Sequence, residues 1–273
     1  MGLVILLPAK FEYMVPNGVA EIWSVNLPIK ACGNYYEHLD KLVSKQLERF
    51  DKVLLSKALY LNPYKYVDVT KIFRTKPFDI HNFHKIPPVI TFVLREDRFW
   101  HNSQIMGLLL KLGIKLRLMK LLNPVYNWRQ NQLVNQTVDD LAKEFENVSI
   151  FATGMSKSGG LRKKVTDLRR SITGPEDELQ WLEVYSKSNL VVGVHGANMI
   201  LATSVAGGFI DIVPRYKIPN WAEDTMLPDH PGLSNFLGRY LDEYSSSRLV
   251  YLHIKSILRG FEYNYHSSIV QPE

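Results

Sequence analysis

The residues best placed to do chemistry form a short turn, His195-Gly196-Ala197-Asn198, set between two apolar stretches. Leu190, Val191, Val192 and Val194, broken only by Gly193, read as a buried parallel strand. Met199, Ile200, Leu201 and Ala202 read as a helix that begins at once. A strand that runs straight into a helix aims free backbone N–H groups above the sheet. The helix start there favours an anion, typically a phosphate. Gly196 allows a ligand close to the backbone, and His195 and Asn198 offer side-chain hydrogen bonds. The plainer alternative is an ordinary βα turn with a capping Asn and a backbone-bonded His. The turn alone does not decide between them.

A second candidate cluster follows another apolar run. Residues 89–94 (VITFVL) read as a strand buried on both faces, and Arg95-Glu96-Asp97-Arg98 stand where it ends. In open α/β sheets that end is the ligand edge, and two arginines there can clamp phosphates with bidentate bonds. The alternative is a solvated turn with local ion pairs. A third strand, 148–152, ends in Thr153-Gly154 at the same expected edge. The loop GMSKSGG after it approximates a phosphate loop, but Gly160 and Leu161 stand where the Walker pattern needs Lys and Ser or Thr.

Other signatures fail. There is no G-x-G-x-x-G and no G-x-S-x-G. The eight histidines form no H-x-x-x-H pair, and His81 and His84 lack further ligands at metal spacing. No metal site is expected, and Asp139-Asp140 reads as the solvated face of a helix.

These clusters need an α/β frame to hold them. The order of elements predicts a first strand at 3–7, a helix over 21–24, a helix over 35–49 and a short strand at 52–55. Residues 61–84, rich in Pro, Tyr and Phe, read as a linker, and Pro87-Pro88 marks a boundary. Residues 101–122 alternate apolar and basic, with breaks at Gly107 and Gly113. Lys111, Lys115, Arg117 and Lys120 give that segment a basic side suited to an anionic membrane surface; the ordinary alternative is a connecting helix with a solvated face. A second helix is expected over 124–145, and a basic, mobile segment up to Gly174. Pro175 with Glu176, Asp177 and Glu178 signals a helix start. The last clear strand is 209–213, followed by a helix over 235–244 and an apolar tail that packs back on the body. The domain reading is a short Rossmann-like unit over 1–86, a ligand-binding Rossmann-like domain over 87–230, and a helical tail over 231–273.

Bulk properties narrow the class. With 46% hydrophobic and 22% charged residues the chain reads as a globular enzyme. One cysteine, Cys32, excludes an intramolecular disulfide. The net charge of +6 favours anionic ligands or a membrane surface and is too dispersed to argue for nucleic acid. No apolar run reaches membrane-span length, and residues 2–7 are too short for a signal peptide. A cytoplasmic protein, at the inner face of the membrane or free of it, is expected.

The block 188–199, SNLVVGVHGANM, resembles the signature of glycosyltransferase family 61-like proteins, in particular bacterial members with a His-Gly-small-Asn-Met turn. Residues 88–98 (PVITFVLREDR), the Gln130-Asn131 helix, 209–224 (FIDIVP to NWAED) and 8–24 are similar too, in the same order. The resemblance implies a GT-B fold of two Rossmann-like units, here with a short first unit, and a nucleotide-sugar donor in the second. By that analogy His195, Gly196, Ala197 and Asn198 meet the diphosphate, and Arg95 and Arg98 neutralise it as the nucleotide leaves. Thr153 and Gly154 border the base, and Glu223 or Asp224 binds sugar or ribose hydroxyls. No cofactor or metal is implied, because cationic groups and a helix dipole stabilise the leaving phosphate. The acceptor is a saccharide or glycoconjugate hydroxyl, and its general base is open among Glu12, Glu21 and Asp97. Two other functions compete: a non-catalytic nucleotide-sugar-binding or scaffold protein, and a nucleotide or phosphate-ester hydrolase.

Overall fold

The structure is a computed structural model of the 273-residue chain. It describes residues 4–8, 12–13, 15, 17–25, 37–52, 74–220, 225–226 and 233–269. The chain divides into two compact units, Met1–Ser56 and Lys57–Glu273.

In the first unit, strand β1 (Val4–Pro8) pairs in parallel with β2 (Glu21–Val25), and helix α1 spans Glu37–Leu47. The segment expected as a helix over 21–24 is therefore a strand. Glu-Ile-Trp-Ser-Val is rich in β-formers, and a four-residue helix cannot repay its nucleation cost. Arg49 closes this unit with a forked pair on Glu21, both contacts at 3.1 Å. The strand expected over 52–55 lies outside the described residues after Lys52.

The second unit is built on a six-stranded sheet in the order β5-β4-β3-β6-β7-β8, and every pairing in it is parallel. Its strands are β3 (Val89–Val93), β4 (Ser149–Thr153), β5 (Val165–Asp167), β6 (Leu190–Val194), β7 (Phe209–Val213) and β8 (Gly238–Asp242). Relabelled from the first strand of this sheet, the order is 3-2-1-4-5-6, that of dinucleotide-binding sheets. The unit is thus an α/β, Rossmann-like fold.

The central strands are apolar apart from Thr91 and Asp211, because helices cover both their faces. On one face Ile90, Phe92, Leu190, Val192 and Val194 pack with Leu133, Val138 and Leu141 of α3 (Met119–Glu144) and with Ile254, Ile257 and Phe261 of α7 (Ser247–Ile269). On the other, Val93, Val191 and Phe209 meet Trp181 and Tyr185 of α4 (Pro175–Lys187) and Met199 and Ala202 of α5 (Asn198–Val205). Adjacent residues of one strand serve opposite faces, as the two-residue period requires.

Three further expectations are corrected. The segment 101–122 is not one interrupted helix: α2 (Gln104–Lys115) ends in a turn where Arg117 takes a φ of 57°, and α3 starts at Met119 with Pro124 inside it. Of the expected helix over 235–244 only residues 235–237 are helical, within α6 (Ser234–Leu237); Gly238–Asp242 instead pairs with β7. The open edge of β7 offers that segment a full ladder, which outweighs a weak helical preference beginning at Gly238. The basic segment before Gly174 is not mobile, since it contains β5 and a buried Arg169.

Candidate functional site at the strand reversal

Strand order in the sheet reverses between β3 and β6. At such a point the connections leave toward opposite faces and open a crevice at the carboxyl ends of the strands. The segments that follow β3 and β6 are the two singled out by their residue types, 95–98 and 195–198.

Glycine makes their approach possible. Gly193 interrupts β6 because a Cβ there would lie 2.5 Å from the Met199 sulfur and 2.9 Å from the Val93 carbonyl oxygen. Gly196 takes a φ of 154°, and a Cβ on it would fall 1.9 Å from Nη1 of Arg98. The guanidinium of Arg98 lies in the hollow left by that missing side chain and donates to the His195 carbonyl oxygen at 2.8 Å. Gly154, with a φ of 106°, passes so close to β3 that a Cβ would sit 2.2 Å from the Leu94 carbonyl oxygen.

Arg95 also turns onto the α5 start, donating from Nη1 to Asn198 Oδ1 at 3.1 Å. Its Nε and Nη2 grip Asp97 in a fork. Among the described residues Arg98 has no carboxylate within ion-pair distance, whereas Arg95 has Asp97. Asn198 keeps its Nδ2 buried without a hydrogen-bond partner among the described residues. Tyr216, after β7, lies within electrostatic reach of Arg98, Asp97, Glu243 and Arg95.

Beneath the turn His195 is fully buried, with its Nδ1 2.6 Å from Oδ2 of the equally buried Asp211. That bond fixes the orientation of the imidazole ring. His195 therefore braces the turn from below. Asp211 was legible as a signal, because it is the one charged residue in the apolar run FIDIV, and a buried acid demands a partner.

The loops are held by polar residues of α3. Gln130, fully buried, accepts from the Trp100 amide at 3.1 Å and donates to the Arg95 carbonyl oxygen at 3.3 Å. Asn131 donates to the Gly159 carbonyl oxygen at 3.2 Å and accepts from Arg169 at 3.0 Å. Asn135 donates to the Gly160 carbonyl oxygen and accepts from the Arg162 amide, both at 2.9 Å. Burial alone would raise the Asp167 carboxyl; bonds from Arg169 and from the Gly159 amide outweigh it and hold the group below the usual carboxylate range. Glu96 joins the two loops by accepting from the Lys157 amide at 2.7 Å.

The structure thus brings together Arg95, Asp97, Arg98, His195, Gly196, Ala197 and Asn198, with Gly154 beside β3. Thr153 is turned inward: its buried hydroxyl bonds the Tyr185 hydroxyl at 2.9 Å, and burial pushes the Tyr185 phenol up. Glu12 stands exposed in the first unit, where its carboxylate accepts from the Ser24 hydroxyl. Glu223 and Asp224 lie outside the described residues.

Sequence reasoning passed over His101, which is buried beyond β3 with its Nε2 3.9 Å from Glu243. Burial lowers its pKa, and Glu243 opposes that only in part. Among the described residues no three His, Cys, Asp or Glu side chains gather as metal ligands. What the reversal point can do chemically is receive an anion through guanidinium donors; the Met199 and Ile200 amides at the start of α5 already bond the Gly196 and Ala197 carbonyl oxygens. A comparison of the sequence with protein families and with curated proteins finds no match.

Proposed function

We propose that this chain is a glycosyltransferase of GT-B type, with a nucleotide-sugar donor whose diphosphate binds at the β3–β6 reversal and a saccharide hydroxyl as acceptor. One observation carries the reading: Arg95 and Arg98 both meet the turn that leads into α5, Arg95 at Asn198 and Arg98 at His195 and Gly196. In that reading Arg98 meets the charge that grows on the leaving phosphate. The parallel β1–β2 pair supports a Rossmann-like character for the first unit.

Thermal-shift titration with nucleoside diphosphates and their sugars tests donor binding, and product analysis with a panel of acceptors tests transfer. Arg98→Ala is expected to weaken nucleoside-diphosphate binding by about 1.5–3 kcal/mol, the worth of a charged hydrogen bond. Arg95→Ala costs less, because Asp97 already meets part of its charge. Unchanged affinity in Arg98→Ala removes the diphosphate from this crevice. A donor-binding protein without turnover is the second reading. The grip of Arg95 on Asp97 favours it, since both oxygens of that carboxylate are already engaged by the guanidinium. Donor binding with no transfer to any acceptor would select it.

A further inference from the structure

Helix α2 is inside out. A surface helix ordinarily buries its apolar stripe and wets its polar face. The inner face of α2 is instead cut away by glycine: a Cβ on Gly113 would lie 2.4 Å from Cδ1 of Leu122, and one on Gly107 would press on His101 and Tyr244 at 3.3 Å. The helix is capped by Ser103, whose hydroxyl accepts from the Met106 amide, and fastened to α3 by Tyr126, whose hydroxyl donates to the Met106 carbonyl oxygen at 2.6 Å.

Its outer face carries Ile105, Leu108, Leu109 and Leu112, spaced as one helical stripe, and all are exposed, Ile105 by 73% and Leu108 by 69%. Leu118, just before α3, and Leu121, Val125 and Trp128 in its first turns repeat the pattern, Leu121 being 74% exposed. Single exposed leucines need no explanation, but two adjoining stripes do.

Charge identifies the occupant. No Asp or Glu stands between Asp97 and Asp139, whereas Lys111, Lys115, Arg117 and Lys120 are exposed among the leucines. On the helical wheel Lys111 and Lys115 flank the α2 stripe. Long cationic side chains there can lay their stems on the acyl boundary and reach headgroup phosphates. Exposed Trp128 is of the type that seats at such a boundary. No described helix is long and apolar enough to cross a membrane, so the contact lies in the plane of the surface.

We propose that α2 and the first turns of α3 are a docking hairpin for an anionic lipid bilayer, leucines seated in the interfacial layer and lysines on the headgroups. The proposal stands apart from the nucleotide-sugar reading and is measured separately from it.

The test is sedimentation of the full chain with vesicles of phosphatidylcholine, alone or mixed with phosphatidylglycerol. Binding is expected to the mixed vesicles, to weaken with salt, and to fall about fivefold for each cation neutralised in Lys111→Gln/Lys115→Gln. Leu108→Glu/Leu121→Glu is expected to abolish it while the melting temperature and circular dichroism match the parent chain. The proposal is overturned if the parent chain ignores mixed vesicles or binds both kinds equally. It is also overturned if the glutamate variant binds as the parent does, or if its only effect is to split a dimer of this chain.

Discussion

Gly196 and Arg98 act as one object. The glycine has no side chain where the guanidinium rests, and its φ of 154° is one that other residues adopt only with strain. Gly196→Ala meets both obstacles, and we expect it to destabilise the second unit by about 1–3 kcal/mol. The two contributions can be separated. In an Arg98→Ala background the collision with the guanidinium disappears, and the backbone strain and a tight contact with Asn198 Oδ1 at 3.1 Å remain. Urea unfolding of the four proteins of that cycle should give a coupling of at least about 0.5 kcal/mol, as for residues in contact. Additive costs would mean that Arg98 does not rest in the hollow.

At the scale of elements, burial decides what each substitution costs. Helix α7 covers one face of the sheet with Ile254, fully buried, while Leu252 on the same helix is 43% exposed. Ile254→Ala should cost about 2–5 kcal/mol of unfolding free energy, and Leu252→Ala no more than about 0.5. Comparable losses would mean that α7 is not docked through its Ile254 side. The same logic explains which elements could be read from the residues. Strands β3, β6 and β7 are runs of apolar residues that only a parallel sheet covered on both faces explains, and Pro175 with three acids after it starts α4 where they predict. β8 was hidden because its partner is β7, and nothing local in Gly238–Asp242 announces that ladder. The site was legible in its parts, the arginines and the His-Gly turn. Their meeting depends on strand order, and Arg169 and Gln130 reveal their holding roles only through loops distant in sequence.

The whole molecule should record two of its histidines, buried His101 and half-buried His253, as a dependence of stability on pH. Burial lowers the pKa of His101 below its ordinary 6.5, and burial together with the nearby Arg239 does the same to His253. Both are therefore neutral in the fold at a pH where the unfolded chain takes up protons. Their contribution is complete above 6.5, falls as pH drops through that value, and is gone below their folded-state values. The slope is at most about 1.4 kcal/mol per pH unit for each group. Carboxylates act in a different window. Glu144, held low by bonds from Lys255 and Arg259, and Asp167, held low by Arg169, keep their contribution above ordinary values of 4.5 and 3.8 and lose it only below them. Denaturant midpoints measured from pH 8 to pH 3 should therefore show a first decline that begins near 6.5 and a second that begins below 4.5. His101→Gln should flatten the first and leave the second in place; a first decline unchanged in that variant would show that His101 is not held neutral in the fold.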